Sequence, residues 1–286
     1  MHCFFSSDLH GSVARYRKLF ALIEAERPEV VLLGGDLLPM AGDESWAETV
    51  GGEDFIHDFL APEFKRLAVV LGDHAPRTLL ILGNDDPRAF EAAFLEVARQ
   101  GTWEYLHDRR LALGPVTFYG YSFVPPTPFP LKDWERYDVS RFVDPGAVPP
   151  EEGRRSVPES SRTIRHARIA EDLARLAGDE DLSAAVFLFH APPYRTKLDR
   201  AALDGRSVDH VPLDVHVGSI AIRRFIEERQ PRISLHGHVH EAARLTGSWR
   251  DEIGRTQLFT AAHDGPELAV VQFDASDPQQ AVRGLY

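Results

Sequence analysis

The chain has 286 residues, 43% of them hydrophobic, enough for one large α/β unit with its own core. Its formal net charge of -12 repels a phosphate backbone at long range, which argues against nucleic acid as a partner, although bound cations would reverse the sign inside a cleft. A single cysteine, Cys3, excludes an intrachain disulfide, and the lack of a secretory pattern or a bilayer-length apolar run leads to the expectation of a cytoplasmic protein with no membrane partner.

In chain order, short apolar runs alternate with amphipathic stretches. Residues 3–6 read as a strand, and 12–26 as a helix with Val13, Tyr16, Leu19, Phe20 and Ile23 on one face. Residues 30–33 form a second strand, 55–71 a helix and 78–82 a third strand. Pro87 opens a helix that runs to about residue 100. There follow a strand over 117–123, a helix over 161–176, a buried strand over 184–189, a helix over 219–228 and a strand over 232–235. Beyond residue 242 the pattern is of β segments, clearest at 257–261 and 268–273. Strands separated by helices imply parallel pairing and right-handed crossovers.

Two segments break the pattern. Residues 39–52 are acidic and contain glycine, and residues 124–158 carry eight prolines among aromatic and charged residues. Neither resembles a linker, so residues 1–286 read as a single domain with 124–158 as a Pro-rich insertion. That insertion is either a surface excursion or a lid over an active site, with Phe123, Phe129 and Trp134 as candidate substrate-facing aromatics.

The chemistry lies at the carboxyl ends of the apolar runs. Cys3-Phe4-Phe5-Ser6-Ser7 leads to Asp8-Leu9-His10, and Val30-Val31-Leu32-Leu33-Gly34-Gly35 to Asp36. Leu79-Leu80-Ile81-Leu82-Gly83 leads to Asn84-Asp85, and Val186-Phe187-Leu188-Phe189 to His190. Ile233-Ser234-Leu235 leads to His236-Gly237-His238-Val239-His240. In open α/β sheets ligands bind beyond the carboxyl ends of strands. Asp8, His10, Asp36, Asn84, His190, His238 and His240 would therefore converge on one rim. Imidazole nitrogen with carboxylate oxygen suits Zn, Mn, Fe, Ni or Co better than Ca or Mg. Seven such groups exceed one tetrahedral ion but suit two ions sharing a carboxylate. Taken singly each signal is weak: a turn Asp, a helix cap or a core histidine would explain it. The ordered conjunction carries the reading.

Other histidines carry less. His57 and His74 read as surface residues, and His236 as packing at a strand end. His210 and His216 lie in a loop that runs near the site or over the surface. Arg195 reads as a solvated loop residue, with a phosphate contact as the alternative.

Asp8-Leu9-His10, Gly35-Asp36, Gly83-Asn84-Asp85, His190 and Gly237-His238-Val239-His240 together resemble the calcineurin-like metallophosphoesterases. The resemblance implies an α/β fold, a four-layer αββα sandwich of two mixed β-sheets flanked by helices. It implies one metal on Asp8, His10, Asp36 and His240 and another on Asp36, Asn84, His190 and His238, bridged by Asp36. The cofactors would be two divalent transition-metal ions, manganese foremost, with Fe, Zn, Ni or Co as alternatives. The implied activity is hydrolysis of a small phosphate ester by a metal-activated hydroxide, with His190 among the catalytic groups. Two departures stand out. Where many members carry a second amide or acid three residues after the bridging Asp, this chain has Pro39. Where many have a His after the metal-binding Asn, it has Asp85, the candidate leaving-group acid, a substitution that favours diesters over monoesters. His263 lies near the expected place of a family C-terminal turn and reads as a surface residue. The alternatives are a nuclease of the same architecture and a non-catalytic binding scaffold.

Overall fold

The structure is a computed structural model that describes residues 1–40 and 42–286. Strand β1 (His2–Ser6) is followed by helix α1 (Val13–Glu26). Ser12 caps α1 by accepting the Arg15 N–H, and its buried face is Val13, Tyr16, Leu19, Phe20 and Ile23, as the periodicity predicts. After β2 (Val30–Gly34) come α2 (Ser45–Val50), a π-helical turn (Phe55–Leu60) and α3 (Ala61–Leu71). Strand β3 (Arg77–Ile81) leads through a 3₁₀ turn (Arg88–Phe90) into α4 (Glu91–Arg99). Strands β4 (Glu104–Tyr105), β5 (Arg109–Leu113) and β6 (Val116–Tyr121) come next. Helices α5 (Ser161–His166) and α6 (Ile169–Ala177) precede β7 (Ala185–Phe189). A ribbon of β8 (Ser207–Val208) and β9 (Val211–Pro212) leads to α7 (Ile220–Arg229) and β10 (Ile233–His236). The chain closes with α8 (Ala242–Thr246), β11 (Arg250–Ile253), β12 (Thr256–Thr260), β13 (Ala269–Asp274) and β14 (Val282–Leu285).

Two six-stranded sheets form, in the orders β14-β13-β1-β2-β3-β4 and β11-β12-β10-β7-β6-β5. The central strands β1, β2 and β3 run parallel, as do β6, β7, β10 and β12, while β13, β14, β11 and β5 pair antiparallel at the flanks. The side-chain period of two then builds the layers. Cys3, Phe5, Leu32 and Leu79 from the first sheet meet Val186, Leu188, Ile233 and Leu235 from the second in one inter-sheet core. Their alternates Phe4, Val31, Leu33 and Leu80 join the α1 and α3 side chains in another. Phe187 and Phe189 turn outward onto Phe225 of α7. The result is the four-layer αββα sandwich. Gly120 of β6 carries no side chain because a Cβ there would lie 2.7 Å from the Leu106 carbonyl oxygen and 2.9 Å from Ile81.

Some expectations need correction. The helix expected over 161–176 is broken in two at Ala167, because the Ile169 N–H pairs with the Tyr137 carbonyl at 2.9 Å. The acidic 39–52 segment is not all loop, since it contains α2. Phe123 and Trp134, expected as substrate-facing aromatics, present no surface to a substrate: both are buried, packed around the His107 ring. Phe129 is exposed. The Pro-rich segment 124–158 is pinned at defined points. Trp134 Nε1 donates to the Asp86 carbonyl at 2.8 Å. The buried Asp138 carboxylate accepts from Ser219 Oγ at 2.6 Å and the Ile220 N–H at 2.7 Å, capping α7 from a distant part of the chain.

Candidate metal centre

Each residue singled out for metal chemistry lies just beyond the carboxyl end of a central strand. Asp8 and His10 follow β1, Asp36 follows β2, and Asn84 with Asp85 follows β3. His190 follows β7, and His238 and His240 follow β10. Each sheet therefore supplies part of one cluster.

The turns that carry these groups are unusual. Asp8, His10, Asp36 and His238 all adopt positive φ, at 57°, 44°, 52° and 73°. A residue with a Cβ in this region costs on the order of 1 kcal/mol or more, so surrounding bonds must hold it. They do. The Asp8 N–H donates to the Gly35 carbonyl at 3.0 Å, His10 N–H to the Asp36 carbonyl at 2.8 Å and Gly11 N–H to the Leu37 carbonyl at 3.0 Å. Arg15 reaches up from α1 and donates to the Asp8 carbonyl at 3.0 Å. The fully buried Asp86 carboxylate accepts the Leu38 N–H at 2.8 Å and the Gly83 N–H at 2.9 Å, tying the turn after β2 to the turn after β3.

One ligand atom from each of Asp8, His10, Asp36 and His240 lies within 4.8 Å of all the others. His240 Nε2 is 3.2 Å from Asp8 Oδ1 and 3.2 Å from His10 Nε2. Beside this group, His190 Nε2 lies 3.2 Å from Asp36 Oδ2 and 3.0 Å from Asn84 Oδ1. His238 completes the neighbourhood: its ring centroid is 5.2 Å from that of His190, and its backbone N–H donates to Asp8 Oδ1 at 2.9 Å. Asp36 touches both groups.

Hydrogen bonds decide which atoms face inward. His190 Nδ1 is 2.8 Å from the Gly34 carbonyl, which only accepts, so Nδ1 carries a proton. In the neutral ring the Nε2 lone pair then points at the site. Asn84 Nδ2 donates to Asp85 Oδ1 at 2.8 Å, which turns the Asn84 carbonyl oxygen inward. With that ring neutral, an imidazole lone pair, an amide oxygen and a carboxylate oxygen converge, a set that is satisfied either by a proton on Nε2 or by a cation. His10 Nδ1 is buried without a partner among the described residues. Such a donor set fits a divalent cation.

The electrostatics agree. Burial acts to lower the His190 pKa, but Asp36 overrides it and pushes the ring up to about 10. Burial likewise opposes protonation of His240, yet the hydrogen bond to Asp8 raises it to about 9. Asp8 and Asp36 fall below the usual carboxylate range, because the facing imidazoles outweigh the cost of burial. The pocket favours positive charge. Asp85 is raised by burial and by Asp36.

The remaining histidines and Arg195 have partners or exposure of their own. His57 and His74 are exposed, and His236 is buried between Ser234 Oγ and the Ala191 carbonyl, each at 2.9 Å. His210 is exposed, while His216 is half-buried with Nδ1 2.8 Å from the buried Asp199. Arg195 is exposed and lies over the Tyr194 ring. His263 pairs with Glu267 at 2.9 Å. Sequence reasoning missed the bracing roles of Asp86 and Arg15. The only available signal was the position of Asp86 two residues after Asn84.

A family model described as calcineurin-like phosphoesterase matches residues 1–242. One solved structure aligns over 100% of this chain and 98% of its own, with 15% identity and a TM-score of 0.58. TT1561 of Thermus thermophilus aligns over 99% of this chain and 98% of its own, at 14% identity and a TM-score of 0.55. A dimetal phosphatase from Danio rerio aligns over 100% of this chain and 99% of its own, at 13% identity and a TM-score of 0.51. At these identities the likeness establishes the fold. No curated protein matches the chain.

Proposed function

Because the chain belongs to the calcineurin-like phosphoesterase family, we propose that it is a metal-dependent hydrolase of small phosphate esters that favours diesters over monoesters. The observation that carries this reading is the convergence of imidazole, amide and carboxylate acceptors from both sheets on one point. Asp8, His10, Asp36 and His240 would hold one divalent ion, and Asp36, Asn84, His190 and His238 a second, manganese foremost with Fe, Zn, Ni or Co as alternatives. Two such ions supply Lewis acidity, a water of lowered pKa and a clamp for in-line displacement at phosphorus.

The chain's own residues supply position and protons. Asp36 and Asn84 are fixed by backbone and side-chain hydrogen bonds, so little reorganisation is needed when charge develops on the phosphoryl oxygens. Asp85 is the group proposed to protonate the leaving oxygen. Partial burial and then the neighbouring Asp36 raise its pKa, the direction a proton donor needs. Residues 124–158 are proposed as an insertion within a single domain, bordering the site, which the Trp134 bond to Asp86 supports. Among the described residues no helix is long and apolar enough to cross a membrane.

The test is a screen of phosphomonoesters and diesters. Chelation is expected to abolish hydrolysis of an aryl phosphodiester, and Mn²⁺ to restore it. No hydrolysis of any ester after reconstitution would overturn the proposal.

A further inference from the structure

Directly beyond Asp36 the chain turns through Leu38 and Pro39, and beyond Asp85 through Pro87 and Phe90. These two turns form one side of a cavity of about 380 Å³. The other side comes from α2 and the π-helical turn: Trp46, Phe55 and Ile56. The volume falls in the range of about 300–1,000 Å³ typical of small-molecule sites. The cavity adjoins the metal centre through its wall. Pro39 packs so closely on Gly11, the neighbour of His10, that any Cβ at Gly11 would collide with it.

Its chemistry has two parts. The walls are aromatic and aliphatic, with the Trp46 ring edge-to-face on Phe55 at 5.3 Å. Met40 and Phe90 also line the cavity and are large apolar side chains left 51% and 46% exposed. The rim is acidic: Asp43, Glu53 and Asp54 line it, and among the described residues no Lys or Arg does. Between residues 39 and 58 the sequence holds six Asp and Glu and no Lys or Arg. Asp54 spends part of its charge on His57 at 2.9 Å, whereas Asp43 and Glu53 are exposed at the opening.

We propose that this cavity is the leaving-group subsite of the hydrolase, and that it takes an apolar alcohol carrying a positive charge. The proposal rests on the phosphoesterase reading above. The phosphoryl group would sit on the cation-seeking cluster, and the alcohol would extend past Pro39 and Pro87 into the aromatic walls. There a cationic group gains from aromatic faces and from Asp43 and Glu53. A second phosphate or a carboxylate on the alcohol meets like charge, which disfavours nucleotides and polyphosphates as substrates. The same negative mouth would turn away a polyanionic partner.

The experiment uses the full chain reconstituted with Mn²⁺. Three aryl methyl phosphodiesters with matched leaving-group acidity are compared, bearing trimethylammonium, no charge or carboxylate. KM is expected to rise in that order, by roughly tenfold between the ends. Phe90→Ser, at an exposed position, should raise KM for the ammonium ester roughly fivefold with little change in kcat, and Glu53→Gln should flatten the charge preference. In parallel, phenyltrimethylammonium is titrated into metal-free protein. Saturable quenching of tryptophan fluorescence that disappears in Trp46→Phe is the expected result. Equal KM across the series, or quenching that survives Trp46→Phe, would overturn the subsite. Loss of all hydrolysis alongside intact quenching would instead overturn the catalytic reading and leave the subsite standing as a binding site.

Discussion

His190 Nε2 and Asp36 Oδ2 lie 3.2 Å apart, one from each sheet, and so join the two halves of the fold at the site. Asp36 also lies in the group formed by Asp8, His10 and His240. The two residues should therefore differ in what their loss removes. Asp36→Ala is expected to lower manganese content from about two ions per chain to none, and His190→Ala to about one. Elemental analysis of protein desalted after reconstitution measures this. Two ions retained in Asp36→Ala would remove it as a bridge.

Gly83 offers a test that touches no ligand. A Cβ there would meet Asp36 Oδ1 and lie 2.6 Å from His190 Cε1. Gly83→Ala should thus displace both ligands while leaving the strands intact. The expected outcome is loss of activity by about 100-fold or more with an unchanged far-UV circular dichroism spectrum. Wild-type activity in this variant would show that the turn relaxes freely.

Asp85 should reveal itself through leaving-group dependence. Asp85→Ala is expected to keep its metals and to hydrolyse nitrophenyl esters, whose leaving group needs no proton, at near wild-type rate. Alkyl esters should lose about 100-fold in kcat. An equal loss for both ester types would assign Asp85 to positioning Asn84 through their 2.8 Å bond instead.

The buried ion pair of the Pro-rich segment bears on stability. Lys132 and Glu135 are both wholly buried and lie 2.5 Å apart. Lys132 also donates to the Thr127 carbonyl at 2.8 Å. Glu135→Leu leaves the ammonium uncompensated and should cost about 3–5 kcal/mol. Adding Lys132→Met should recover part of that loss by removing the stranded charge. Chemical denaturation of the two variants decides it: a double variant less stable than Glu135→Leu would contradict this account.

The sequence was most legible where one force dominates. β2 and β7 are buried on both faces and read as unbroken apolar runs, and β1, β3 and β10 carry shorter apolar stretches that are buried in the same way. Their ligands come at once after them, and residue type alone shows the chemistry. Edge strand β5 was missed because Arg109 and Arg110 face solvent and dilute the signal. The break between α5 and α6 was missed because it depends on Tyr137, far earlier in the chain, which pairs with Arg168. The backbone of the site was illegible for another reason. Nothing in Asp8 or His238 announces positive φ, which is imposed by partners such as Gly35 and Asp8 itself.

That imposed geometry bears on any attempt to engineer the protein for heat resistance. At Asp8, His10, Asp36 and His238 the chain would relax if glycine or asparagine stood there instead. A selection that rewards folding alone would therefore drift toward those replacements and erode the cluster first. Libraries built on this scaffold should hold these four positions fixed, or be screened for turnover at every round.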